Sequence, residues 1–228
     1  MDTETVDLPE KTGEHFSPAT LRKSQIKSWQ AVDAIASQLR PGMTEWEATE
    51  KATQILEDLG NEKNWHKVLV RFGANTIKPF AAPSCKETVL QETDIFFVDI
   101  GPVWDDHEGD AGRTYCTGND AQMKACATAA ESIWHVVHAQ WAKERISGEA
   151  LYAFAVDYTA SLGWILDLGL KGHRISEFPH ALYRDGKLGD FSATPKPELW
   201  VLEIQIRHPE KPFGAFYEDL LTESPKAH

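Results

Sequence analysis

Residues 95–115 read IFFVDIGPVWDDHEGDAGRTY, and this stretch decides the fold. Residues 95–100, IFFVDI, are a short apolar run broken only by Asp99. That pattern predicts a buried strand. The turn-rich WDDHEGD follows, and residues 112–117, GRTYCT, read as the hairpin partner. An unpartnered carboxylate inside such a strand costs several kcal/mol, so Asp99 must be paired, protonated or bound to a cation. Asp110 follows it by eleven residues across the turn.

The same design recurs downstream. Residues 200–207, WVLEIQIR, are an apolar run broken by Glu203. Residues 216–222, FYEDLLT, return after a segment holding Pro209, Pro212 and Gly214, and Glu218 follows Glu203 by fifteen residues. The chain thus presents two acid pairs on two strand–turn–strand units. Four carboxylates meeting in one core repel unless cations hold them. Between the units, GHRISEFPH offers His173 and His180. Four carboxylates and a histidine suit two divalent ions sharing bridging oxygens. Each residue also has an ordinary reading by itself: a strand acid satisfied by its neighbours, or a histidine packed in the core. Asp105 and Asp106 read as solvated turn residues, and His135 and His138 as packing or surface positions of a helix.

Helices flank this β framework. Ser17 and Pro18 open the first, whose apolar face carries Leu21, Trp29, Val32, Ala36 and Leu39 before Pro41 and Gly42 stop it. Thr44 and Glu47 form a capping box for a second helix, ended by Gly60. A strand is expected over 66–72, a long helix capped by Asn119 and running to about Ile146, and another over 149–162. Residues 1–16 read as a loose tail. The expectation is one α+β domain over 17–228, with helices covering one sheet system.

Composition bounds the chemistry. The 228 residues hold 23 Lys and Arg against 35 Asp and Glu, a net charge of −12. This argues against nucleic acid and against anionic membrane as partners. A hydrophobic fraction of 42% excludes a mostly disordered chain. Three scattered cysteines, Cys85, Cys116 and Cys126, suit a reduced cytoplasmic setting better than a disulfide framework. The amino terminus lacks a basic start and an apolar run, so it does not read as a secretory signal, and no apolar run is long enough to span a bilayer.

VDIGPVWDDHEGDAGRTY resembles the metal-binding hairpin of the pita-bread (M24-type) metallopeptidases: methionine aminopeptidases, Xaa-Pro aminopeptidases and prolidases. GHRISEFPH resembles the family's histidine segment, with His173 seven residues before His180. WVLEIQI and FYEDLLTE resemble its two glutamate strands, and PGMTEWEA a family helix start. The resemblance implies a curved antiparallel sheet covered by helices, in pseudo-twofold halves. It implies two divalent metal ions (Mn, Co, Fe or Zn), with Asp99 on one ion, Asp110 and Glu218 bridging, and His173 and Glu203 completing the second site. A metal-bridging water would be the nucleophile and Glu203 the proton shuttle. His180 would hydrogen-bond the substrate carbonyl or the tetrahedral intermediate. The implied function is hydrolysis of an amide bond in a small peptide, and the reading admits a homodimer.

The chain departs from the family pattern at three places. Phe80 or Ala82 stands where a histidine precedes the first aspartate, and His66 is the nearest upstream histidine. Glu203 is followed by Ile204 instead of proline, and Gly112 replaces a threonine. Two alternatives therefore accompany the hydrolase: the same cage in non-peptidase chemistry on a small amine (C–N cleavage or iron/oxygen chemistry), and a peptide- or protein-binding module without turnover. Phe80, Trp104 and Phe178 are expected to form an aromatic pocket for a small apolar group.

Overall fold

A computed structural model describes residues 10–182 and 186–223. Helix α1 (Pro18–Ala36) starts where Ser17 accepts a hydrogen bond from Thr20 N. Helix α2 (Glu45–Asp58) carries both halves of the capping box, Glu47 N to Thr44 Oγ1 and Thr44 N to Glu47 Oε2. Strands β1 (Lys63–Asn64), β2 (Leu69–Phe72), β3 (Asp94–Ile100), β4 (Pro102–Trp104), β5 (His107–Glu108) and β6 (Ala111–Thr117) follow. Helices α3 (Ala121–Glu144) and α4 (Gly148–Ser161) separate them from β7 (Ile165–Leu166), β8 (His173–Arg174), β9 (Trp200–Arg207) and β10 (Gly214–Leu220).

The main sheet runs β2-β3-β6-β10-β9-β7, with β8 also on β9, and every pairing among the described residues is antiparallel. The order is symmetric about the β6–β10 junction. Each half is built as two helices followed by strands, which gives the pseudo-twofold arrangement. β4 and β5, which lie in the β3–β6 connection, form a second, small sheet with β1. Its β4–β5 turn holds Asp105 and Asp106 at φ 52° and 55°, both exposed.

Strand alternation sorts the two faces of the main sheet. Phe96, Val98, Leu202, Ile204 and Tyr217 join the large core with Trp29 of α1, Trp134 and Val137 of α3, and Leu151 of α4. Asp99, Gly112, Glu203 and Glu218 alternate with these and take the opposite face, where Leu69, Phe97 and Phe216 cluster with Leu170. Burial of the α3 indoles is compatible with their polar N–H because Trp134 Nε1 donates to Leu202 O at 2.8 Å and Trp141 Nε1 to Pro195 O at 3.1 Å. His138 is buried against Trp134 at a ring-centroid distance of 5.0 Å, a packing position.

Three expectations change. The strand expected from residue 66 begins only at Leu69. Trp65 is tied instead to the β3–β6 connection, its N donating to Gly101 O at 2.8 Å and its Nε1 to Gly109 O at 2.9 Å. The α3 cap is Asp120 and not Asn119, since Asp120 Oδ1 accepts from Gln122 N and Met123 N, both at 2.9 Å. Of the loose tail expected over 1–16, residues 1–9 lie outside the described residues, and Glu10 onward is docked. Glu10 Oε1 accepts from Trp200 Nε1 and Lys196 N, each at 2.7 Å.

Candidate metal centre

The strand registers draw one line across the sheet. Asp99 lies opposite Gly112, Gly112 opposite Glu218, and Glu218 opposite Glu203. Gly112 is the space in that line. A Cβ there would come within 2.6 Å of Phe216 Cε1 and 2.7 Å of Glu218 Oε1. Asp110 sits just beyond the end of β3's partner strand, and α1 grips its backbone. Its N donates to Gln25 Oε1 at 3.0 Å, and its carbonyl accepts from Gln25 Nε2. β8 brings His173 alongside β9.

Asp99, Asp110, His173, Glu203, Glu218 and His180 all line one cavity of about 250 Å³. Two groups of donor atoms, each within 4.8 Å, share Asp110: His66 with Asp99, and His173 with Glu218. Asp110 Oδ1 lies 3.2 Å from His66 Nε2, and Asp110 Oδ2 lies 2.8 Å from His173 Nε2. Despite that proximity, Asp110 Oδ2 has no aligned hydrogen-bond donor, and neither has Glu218 Oε1, although both are buried. Buried carboxylate oxygens without donors, beside imidazole nitrogens, fit divalent cations. Glu203 belongs to neither group, and its Oε2 accepts from Gly172 N at 2.7 Å.

The electrostatics without metal express the same crowding. Burial opposes charge on His66 and His173, yet the surrounding carboxylates outweigh it and push the two up to about 9 and about 10. Burial works to raise the Asp110 carboxyl, but the two imidazoles hold it low. Burial, then the neighbouring carboxylates, push Asp99 and Glu218 up. Glu203 is raised by burial and Asp110 against the pull of His173.

His180 is fixed by a residue that the sequence reading did not single out. Glu108 is buried, and its Oε2 accepts from His180 Nδ1 at 2.7 Å while its Oε1 accepts from His180 N at 2.9 Å. Nε2 is the ring nitrogen left for the cavity. The only signal in the sequence was spacing, since Glu108 is two residues before Asp110 and so shares its face in extended chain.

Residues 19–221 match metallopeptidase family M24. The chain belongs to this family. Solved structures agree on the fold of the M24 chain. The X-Pro aminopeptidase from Thermotoga maritima superposes with TM-score 0.71 at 18% identity, covering 96% of this chain and 64% of that one. The prolidase from Pyrococcus horikoshii gives 0.72 at 18%, covering 96% and 62%. A methionine aminopeptidase from Thermotoga maritima gives 0.70 at 18%, covering 94% and 96%. The M24 chain therefore spans under two thirds of the first two structures and nearly all of the third. No curated protein matches the sequence. At such identity the likeness establishes the pita-bread fold: helices over an antiparallel sheet in two related halves.

The expected aromatic pocket is assembled differently in the M24 chain. Phe80 does line the cavity. Trp104 lies outside that lining and is buried on the helix side, where its Nε1 donates to Ser28 Oγ at 3.2 Å and its carbonyl accepts from Ser24 Oγ. Phe178 is also outside the lining, with Lys63 Nζ 4.7 Å from its ring centroid. Trp65 takes the aromatic place instead, edge-on to His66, His173 and His180 at centroid distances of 4.4, 5.1 and 5.4 Å. Among the described residues, no helix is long and apolar enough to cross a membrane.

Proposed function

We propose that the M24 chain is a dinuclear metal-dependent hydrolase cleaving an amide bond of a small peptide or peptide-like substrate. The observation that carries this reading is Asp110, whose two oxygens serve two donor groups in one buried cavity. Asp99, Asp110, His173, Glu203 and Glu218 would hold the ions, and oxygen with imidazole donors suits Mn, Fe, Co or Zn. When bound, such ions supply an acidified water and positive charge for a developing oxyanion.

The protein supplies the rest. Glu203, raised by burial, takes a proton from the attacking water and delivers one to the leaving amine. His180, held through Nδ1 by Glu108, donates from Nε2 to the substrate carbonyl oxygen as it gains charge. Trp65 and Phe80 wall the cavity and favour a small apolar side group. A reducing, cytoplasmic setting agrees with Cys85, Cys116 and Cys126 all being free thiols.

The test is elemental analysis of protein purified without added metal, followed by turnover on dipeptides and tripeptides. Two metal equivalents per chain and chelator-sensitive amide cleavage are expected. Metal-free protein, or loaded protein that cleaves none of the panel, overturns the reading. In the second case, release of amine from a small non-peptide amine would point to C–N chemistry in the same cage.

A further inference from the structure

We propose that His66 is a nitrogen ligand of the metal held by Asp99, so that the centre has one imidazole for each ion. The inference rests on the metal-centre reading above and adds a sixth protein donor to the five that the family resemblance implies.

The hydrogen bonding of the ring fixes its chemistry. His66 Nδ1 lies 2.8 Å from Lys67 O, a carbonyl that can only accept, so Nδ1 carries the proton. Nε2 is the nitrogen free to ligate, and it faces Asp110 Oδ1 at 3.2 Å and Asp99 Oδ1 at 3.7 Å. A metal ion between Nε2 and the two carboxylates takes the place of the proton that the ring otherwise shares with them. His173 is built in the same way. Its Nδ1 lies 2.8 Å from the carbonyl of the next residue, Arg174, and its Nε2 faces the other oxygen of Asp110. A backbone carbonyl on the remote nitrogen is the usual support of a metal-ligating histidine. Adjacent donors around one ion with bonds of about 2.1 Å stand about 3 Å apart, close to the 3.2 Å and 2.8 Å found on the two sides of Asp110.

Space has been made for this ring. Gly101 leaves room where a Cβ would fall 2.1 Å from His66 Cδ2 and 2.3 Å from Nε2. Trp65 packs edge-on at 4.4 Å and Phe80 at 5.8 Å between centroids, leaving the side chain 11% exposed. Phe80 or Ala82 stands where the family pattern has its upstream histidine, so an imidazole reaches the site from another part of the chain. A nitrogen on each ion favours borderline cations such as Zn, Co or Fe over purely oxygen-seeking ones.

Calorimetric titration of EDTA-stripped protein with Co(II) tests the proposal, with circular dichroism confirming the fold of each variant. Wild type should take up two equivalents. His66→Ala should lose affinity at one site by about 100-fold or more, since even an outer support costs 10–100-fold. Millimolar imidazole should restore that site in the variant and leave wild type unchanged. Unaltered affinity of both sites in folded His66→Ala overturns the role of His66. A wild type that binds no Co(II) overturns the centre itself. Should His66→Ala not fold, His173→Ala loaded with one equivalent of Cu(II) replaces it. Its pulsed-EPR spectrum should still show a coordinated imidazole nitrogen, and absence of that coupling overturns the proposal.

Discussion

The two oxygens of Asp110 face two imidazoles, so its removal should be felt on both sides of the cage. Asp110→Asn keeps the shape and removes the charge. We expect elemental analysis to show the metal content falling to at most one ion per chain. Stripped protein should respond to pH through the same histidines. Both have folded values above 6.5, at about 9 and about 10. Such groups stabilise fully below about 6.5, and the contribution disappears as pH rises through the folded values. Denaturation of the EDTA-treated chain should therefore show stability falling between about pH 6.5 and 10. Affinity for metal should rise over that interval, because the ions displace those protons. Glu108→Gln is the test of how His180 is held. The amide oxygen still accepts from Nδ1, but the charge is gone, so kcat should drop by about 10²-fold with KM nearly unchanged. A rise in KM with kcat unchanged would mean that His180 binds substrate and transition state equally.

The strands and helices work as rulers for these side chains. Because β3, β6, β10 and β9 are adjacent and in register, three carboxylates and one glycine share a line that no two of these strands could make. Gly112→Ala puts a methyl group against the buried Phe216 ring and Glu218, at 2.6 and 2.7 Å. We expect a loss of about 1–3 kcal/mol, from denaturant titration, together with weakened metal binding through displaced Glu218. Helix α1 contributes by clamping the Asp110 backbone through Gln25. Helix α2 contributes through buried Glu45, whose oxygens accept from Phe72 N, Asn75 Nδ2 and Cys85 N at 2.8–2.9 Å. These bonds tie down both ends of the segment that carries Phe80. The sequence announced these helices by cap and period, Ser17 and the Thr44–Glu47 box above all. It gave no sign of Gln25 or Glu45 as anchors, because their partners lie far away along the chain.

At the scale of the molecule, metal held by these side chains would also fasten the two halves of the fold. Asp99 and Asp110 come from the first half, and His173, Glu203 and Glu218 from the second. Metal at about 100 times its Kd stabilises by about 2.7 kcal/mol. Each kcal/mol moves Tm by roughly 2–4 °C in a chain of this size. Removing metal with EDTA should thus lower Tm by roughly 5–10 °C in a thermal melt, and Asp110→Asn should abolish most of that difference. A melt insensitive to EDTA would mean that the halves are held by the sheet and helices alone.

The architecture was written in local signals. Acids inside apolar runs, repeated on two hairpins with a histidine segment between, pointed to a sheet with a carboxylate-lined buried face, and the strand registers brought Asp99, Glu203 and Glu218 into one line on it. Motif spacing was enough for the family. Tertiary structure decided what no spacing encodes: that His66 meets Asp110 from forty-four residues away, that Glu108 and not solvent holds His180, and that Trp65 replaces Trp104 and Phe178 at the cavity. The physical reason is one of range. Strand period and helix caps are satisfied within a few residues, whereas a lone pair or a carboxylate in the core is satisfied by whatever group the folded chain delivers to it.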